Sequence, residues 1–239
     1  DDYSLPEFKR KNEVLINKVN YITLDKNIGR AKISNEFLKY AQYPYLLFLD
    51  CDSVIISDDF ISNYINLLPE SPDVICGGRI YSPQPAPKNK YLRWKYGIKK
   101  ESQPCSVRIQ NPNRSFMTNN FVIKSTLLSS VKFDERIEGY GHEDTLFGYE
   151  LKKREISITH IENPVLNGEL EENNEYLEKT DKGVENLCRI YQFMNYSGDF
   201  AKEVSLLAFH RKLQQLHMTG IISLLFSSFG KPVRTMLSN

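Results

Sequence analysis

The chain has 239 residues, 41% of them hydrophobic and 26% charged, with a formal net charge of +1. That is ordinary globular composition, enough for one large domain or two small ones, and a charge so near zero gives no electrostatic case for a nucleic-acid partner. No stretch approaches the ~20 consecutive apolar residues of a membrane helix, and no segment reads as a signal peptide. The four cysteines, Cys51, Cys76, Cys105 and Cys188, lack metal-ligand spacing, so free thiols in a reducing, cytoplasmic compartment are expected.

The opening "DDYSLPEF" places two carboxylates before a Ser/Pro turn and reads as the exit of a strand that would precede it. Pro6 then suits the first position of a helix. "VNYITLD" predicts a short strand, and "NIGRAKISNEFLKYA" turns through Gly29 into a helix reaching Ala41. "YLLFLDCD" is short and uniformly apolar, which predicts a central, parallel strand. A helix around 58–68 and the strand "DVICGGRIY" follow. Strand and helix alternating in this order argue for an open α/β sheet.

The middle changes character. "SPQPAPKNKYLRWKYGIKKESQPCSVRIQNPNRS" is rich in Pro, Lys and Arg, with a helical patch over 91–96; long loops of this kind are functional or disordered. "SFMTNNFVIKS" predicts another strand, then a short helix, the turn "EGYGHED", a helix over "TLFGYELKKRE" and extended chain over "ISITHIENPVLN". From Glu171 the pattern is helical to the end. The expected organisation is one catalytic domain over 1–170 with a helical extension over 171–239.

Asp50 and Asp52 close the apolar strand. Alternation along a strand sends both carboxylates to one side and Cys51 to the core, at the strand end where ligands of open α/β sheets bind. Two such oxygens suit a hard divalent cation that also grips phosphates; the plain alternative is a turn and helix-cap pair before "SDDF". In "EGYGHED", His142, Glu143 and Asp144 fall at the first turn of a helix, where acidic side chains are stabilised by the helix N-terminus. Either carboxylate is also placed to take a proton from a substrate hydroxyl. A lone strand histidine such as His160 is usually a packed, hydrogen-bonded residue. Thr118, Asn119 and Asn120 put polar groups in an extended run where ladder and turn roles are the default, and Arg93, Lys95, Lys99, Lys100, Arg108 and Arg114 read equally well as a solvated loop.

The order of these elements is more telling than any one of them. With "DDYS", the "NIGRAKISNEFLKYA" helix, the "FLDCD" strand exit, "CGGRIY", "TNNF" and "FDERIEGYGHEDTLFGYEL", the chain resembles the family 2 type of GT-A glycosyltransferase over nearly its whole length. Its Gly/Glu/Asp turn is similar to the one in the galactosyltransferase C-terminal module. The resemblance implies an α/β GT-A fold, Rossmann-like, with a mostly parallel sheet flanked by helices, a helical C-terminal appendage, and an apolar first strand missing before Asp1.

By the same resemblance Asp1 and Asp2 contact the uracil ring, Arg30 steadies the donor, and Asp50 holds ribose or the ion through water. Asp52 binds Mn²⁺ or Mg²⁺, with His160 as the nearest third ligand, because relatives carry a histidine where this chain has Asn167. Asp144 is the general base, Glu143 positions the acceptor, and His142, Asn119 and Asn120 line the acceptor site. The implied activity is inverting, metal-dependent transfer of a sugar from a UDP-sugar to a hydroxyl of a glycan or lipid-linked acceptor in bacterial-type polysaccharide synthesis. A non-catalytic nucleotide-sugar-binding protein of the same fold is the alternative. A nucleotidyltransferase would need a Gly-rich phosphate loop after its first strand. The apolar and basic stretch from Thr219 onward is expected either to pack on the domain or to contact the inner face of the plasma membrane, and a homodimer is the expected assembly.

Overall fold

The computed structural model describes residues 1–224. The chain runs α1 (Pro6–Asn12), α2 (Arg30–Glu36), β1 (Tyr45–Leu49), β2 (Ser53–Val54), α3 (Phe60–Ile65), β3 (Val74–Cys76), β4 (Arg79–Ile80), α4 (Tyr91–Tyr96), α5 (Cys105–Arg108), β5 (Asn120–Lys124), α6 (Ser125–Val131), α7 (Glu143–Lys153), β6 (Thr159–His160), β7 (Val165–Asn167), α8 (Asn173–Phe193), α9 (Gly198–Glu203) and α10 (Ser205–Gln215). Pro6 starts α1 as its fixed φ predicts. Gly29, at φ +82°, turns the chain into α2.

Two small sheets organise these elements, one in the order β1-β5-β3-β6 and one in the order β2-β7-β4. The α/β class stands, but the sheets are mixed rather than mostly parallel. β5 is antiparallel to both β1 and β3, while β3–β6 and β4–β7 are parallel. The long excursion over 81–119 explains this. It returns the chain to the end of the sheet where β3 finishes, so that Cys76 faces Phe121 and β5 runs back along both neighbours.

Three further strand expectations fail. β1 is not central: among the described residues it pairs on one side only, with β5, and Leu47 and Leu49 remain 37% and 39% exposed. "VNYITLD" joins no ladder and reaches the preceding chain through contacts such as Leu24 N–H to the Asp1 carbonyl at 3.0 Å. "DVICGGRIY" is broken at Gly77–Gly78 into strands of different sheets, because Gly78 adopts φ +91° and a Cβ there would lie 2.8 Å from the Arg108 guanidinium carbon.

The main core is the β3–β5 layer. Val74, Cys76, Phe121 and Ile123 are buried with Leu128, Phe133, Phe147 and Leu151 from the helices. Phe48 stacks on Phe121 at 4.7 Å and Phe133 on Phe147 at 4.1 Å between ring centroids. Each such side chain contributes about 1.5–3 kcal/mol by burial. Asn35 on α2 fastens the edge of this core, exchanging two 2.9 Å bonds with the main chain of Phe133. A second cluster joins Leu146 of α7 to Leu187, Ile190, Phe200 and Leu207, so α8–α10 pack against the helix that carries the GHED turn. The membrane expectation for the stretch from Thr219 falls mostly outside the described residues.

Candidate functional site

Both acidic motifs open into one cleft of about 680 Å³. β1 ends at Leu49, one residue before the first aspartate. Asp50 N–H donates to the Asn119 carbonyl and Ser53 N–H to the Asp50 carbonyl, each at 3.0 Å, so Asp50–Asp52 form a turn. Strand alternation therefore stops before Cys51, which is exposed instead of pointing into the core. Asp50, Cys51 and Asp52 all face the cleft. Gly168 N–H donates to the Asp52 carbonyl at 2.8 Å. A Cβ at Gly168 would stand 2.6 Å from that oxygen, so glycine permits the approach. Asn167, opposite Ser53 across the β2–β7 ladder, lines the cleft beside them.

The opposite wall is the head of α7. Gly141 and His142, at φ +82° and +71°, are consecutive left-handed residues that swing the chain into the helix. Asn186 of α8 holds the turn by donating to the Gly141 carbonyl at 2.6 Å. Glu143 is only 8% exposed. Burial, reinforced by the neighbouring Asp144 charge, pushes its carboxyl up to about 7, and Arg30 only partly offsets the rise. Asp144 accepts from Thr145 N–H at 2.6 Å through Oδ1; its Oδ2 has no hydrogen-bond partner among the described residues. Burial lowers the His142 imidazole below its ordinary range.

Arg30 connects the two walls, with Nη1 3.0 Å from Asp50 Oδ1 and Nε 3.4 Å from Glu143 Oε1. From Asp50 the charges continue in alternation. Arg79 bridges Asp50 and Glu101 at 3.0 and 3.5 Å. Arg93 bridges Glu101 and Glu171 at 3.0 and 3.1 Å, and Lys179 closes on Glu171 at 3.1 Å. Tyr81 donates to Glu101 and accepts from Arg93. Burial alone would raise the Glu101 carboxyl, but Arg93, Tyr81 and Arg79 together hold it below the usual range. Sequence reasoning passed over Arg79, Glu101, Glu171 and Lys179 and read Arg93 as loop. Arg79 had a findable signal: it follows a buried strand and a Gly-Gly bend, the same exit logic that marks Asp50.

Not every expected site residue arrives. His160 is no third ligand: Arg108 Nη1 lies 2.8 Å from its Nδ1 and the Pro112 carbonyl 2.8 Å from its Nε2. It lies on β6, against Arg108, outside the residues that line the cleft. Asp2 accepts from the Ile28 and Gly29 amides at 2.7 and 3.2 Å, and Asp1 accepts from Tyr21 and Ser4. Those carboxylates cap turns, and neither residue is among those that line the cleft. Asn120 is fully buried and bonded to Tyr64 and to the Gly78 and Asn163 carbonyls, a core role. Its neighbour Asn119 does line the cleft, and both polar atoms of its buried amide lack a partner among the described residues. Leaving such a group unsatisfied costs about 1–3 kcal/mol, a cost a ligand would remove.

The residues fit a divalent cation of the type that diphosphate completes. Among the described residues no three His, Cys, Asp or Glu side chains are grouped around one point, but Mg²⁺-like ions need only one or two carboxylates when phosphates supply the rest. Of the two aspartates, Asp52 is the one whose carboxylate has no guanidinium contact among the described residues, because both Asp50 oxygens face arginines.

Among solved structures, Staphylococcus aureus TarS matches with a TM-score of 0.50 and 18% identity, over 87% of this chain and 43% of that one. A form of TarS spanning residues 1–349, solved with UDP-GlcNAc, matches at 20% identity and a TM-score of 0.48, over 72% of this chain and 49% of that one. At these identities the likeness is one of fold, and the chain spans about half the length of those proteins. No curated protein matches the chain. The family model described as glycosyl transferase family 2 matches residues 1–128, more than half of the chain. The chain belongs to glycosyl transferase family 2.

Proposed function

We propose that the protein transfers a sugar, with inversion, from a UDP-sugar to a hydroxyl of a glycan or lipid-linked acceptor. One observation carries the reading: the Asp50–Asp52 turn and the Glu143–Asp144 helix head face each other across a single cleft, joined by Arg30. Family membership supplies the reaction class. TarS, whose fold is similar, has been solved with UDP-GlcNAc.

Asp144 is the base. It lines the cleft with its Oδ2 unpartnered among the described residues, and proton removal by a positioned carboxylate contributes roughly 10²–10⁴-fold. Glu143 stays committed to Arg30 and, with its carboxyl near 7, holds the acceptor by a hydrogen bond it either donates or accepts. Asp52 would hold the cation, with Asp50 behind it through water. When bound, the cation offsets the negative charge that develops on the departing diphosphate. The amide of Asn119 is the group on the cleft floor ready for a ligand hydroxyl. The non-catalytic reading draws support from Asp50, whose two arginines already neutralise it.

Turnover of a UDP-sugar panel with Mn²⁺, by wild type and by Asp144→Asn, decides between the two. The expected result is measurable transfer or donor hydrolysis by wild type, a loss of about 10²-fold or more in the variant, and unchanged UDP affinity. Wild type that binds UDP and never turns over would establish the non-catalytic reading. Turnover retained in Asp144→Asn and lost in Glu143→Gln would move the base to Glu143.

A further inference from the structure

Charge is distributed very unevenly along this chain. Residues 88–114 carry eight Lys and Arg against the single Glu101, a net of +7, so with +1 overall the remaining residues net −6. Two of the eight are internal. Arg93 is bound to Glu101 and Glu171, and Arg108 to carbonyl oxygens. Lys88, Lys95, Lys99, Lys100 and Arg114 are exposed, and none of the five enters an ion pair among the described residues. Such a one-signed field is an attractor for anions.

The field has a concave focus. A second cavity of about 320 Å³ is lined by Lys100, Arg114, Gln110 and Asn111, and it shares Glu101 and Met117 with the main cleft. The two therefore adjoin. Side-chain amides beside two cations suit a ligand with both hydroxyls and negative charge. Exposed aromatic faces stand on the same segment: Tyr91 packs against Trp94 at 5.2 Å, and Lys95 lies 5.5 Å from the Tyr91 ring centre. Rings of this kind offer apolar surface to a sugar face while the lysines hold its charged substituent. A flat bilayer would touch the exposed lysines but would not enter the cavity.

We infer that the acceptor is an anionic glycan, whose charged groups seat between Lys100 and Arg114 while its hydroxyl reaches the cleft. This rests on the transferase reading and names the substrate class for it. The shared chemistry is a sugar chain bearing carboxylate or phosphate, and the probes separate the two.

The test is binding of the full chain to fluorescent oligogalacturonate, phosphorylated dextran, neutral dextran and phosphatidylglycerol vesicles. UDP binding with Mn²⁺ is measured in parallel. One or both anionic glycans should bind about tenfold tighter than neutral dextran. That preference should fade as salt rises past ~0.1 M, where screening acts within ~10 Å. Lys100→Glu with Arg114→Glu should lose the preference and keep the wild-type melting temperature and UDP affinity. Lys182→Glu with Arg189→Glu, an equal charge change on exposed positions of α8, should keep it. If the Lys100/Arg114 variant melts early, the milder Lys100→Gln with Arg114→Gln, at the same cavity-lining positions, takes its place.

Equal binding of neutral and anionic dextrans overturns the inference, as does an equal loss in both double variants. Binding to vesicles without binding to either anionic glycan makes the surface a membrane contact. UDP binding with no glycan preference refutes the acceptor class alone, whereas failure to bind UDP refutes the donor reading.

Discussion

Two buried arginines in this molecule are satisfied in opposite ways. Arg93, in the cleft wall, is compensated by the carboxylates of Glu101 and Glu171. Arg108, just 1% exposed, has no carboxylate partner among the described residues. It donates to the carbonyls of Gln103, Cys76, Gly77 and Ile161 and faces His160 Nδ1. Carboxylate pairs along a cleft are exchangeable, since an anionic or cationic ligand can take over either partner. Main-chain carbonyls are not exchangeable. Arg108 therefore works as a structural pin that closes the bend between β3 and β4 over β6, and the Arg30–Arg79–Arg93 series works as a charge-balanced wall that a ligand can reorganise.

Removing the pin should have the largest effect. Arg108→Met takes a donor from four carbonyl oxygens and one ring nitrogen; the Cys76 and Gly77 carbonyls keep a main-chain N–H, and each buried acceptor left unsatisfied costs about 1–3 kcal/mol. Denaturant unfolding should show that loss. Arg108→Lys should recover little, because one ammonium cannot reproduce the planar fork. Arg93→Met should be milder, since Glu101 keeps Arg79 and Glu171 keeps Lys179. If Arg93→Met proves as damaging as Arg108→Met, the distinction between the two regions collapses.

The next effect lies within the wall. Asp52→Asn should remove most of the Mn²⁺-dependent gain in UDP affinity, about tenfold, while Asp50→Asn should lower it a few-fold. Asp50 already has both oxygens on arginines, and so contributes less to a cation than the open Asp52. Calorimetry of UDP with and without Mn²⁺ measures the difference. An Asp52→Asn protein that binds like wild type would remove Asp52 from the site.

How much of this was legible beforehand follows from how local each feature is. The strand bodies and the helices over 91–96 and 173–193 follow from apolar runs and periodicity, which sequence displays directly. The acidic pairs are legible for the same reason: each marks the end of a recognisable element. Strand direction was not, because β5 is antiparallel only by virtue of where the 81–119 excursion delivers it. The histidine was misplaced by a tertiary fact. His160 lies on β6, whose parallel pairing with β3 puts it opposite Cys76, against Arg108 rather than in the cleft. Asp2 misled in another way, since a carboxylate that caps a backbone turn looks the same in sequence as one awaiting a ligand. The alternating wall joins residues as far apart as Arg30 and Lys179, and no local pattern announces it.

The smallest effect, and the finest test of the pin, is its response to acid. The arrangement requires His160 neutral, with Nδ1 accepting from Arg108 and Nε2–H donating to the Pro112 carbonyl. Burial first, and the Arg108 charge after it, hold the imidazole below its ordinary range despite the opposing pull of that carbonyl. The unfolded chain thus takes up the proton before the folded one does. The stability His160 contributes is present above the unfolded value of about 6.5 and declines as pH falls through it, until the folded value is reached. Each unit of separation is worth about 1.4 kcal/mol at most. Urea unfolding at pH 7.5 and at pH 5 should show wild type losing on the order of 1 kcal/mol. His160→Gln, whose amide oxygen can accept from Arg108 and carries no titrating proton, should lose less over the same interval. Equal losses in the two proteins would mean that the acid response comes from the cleft carboxylates, and that the pin is as exchangeable as the wall.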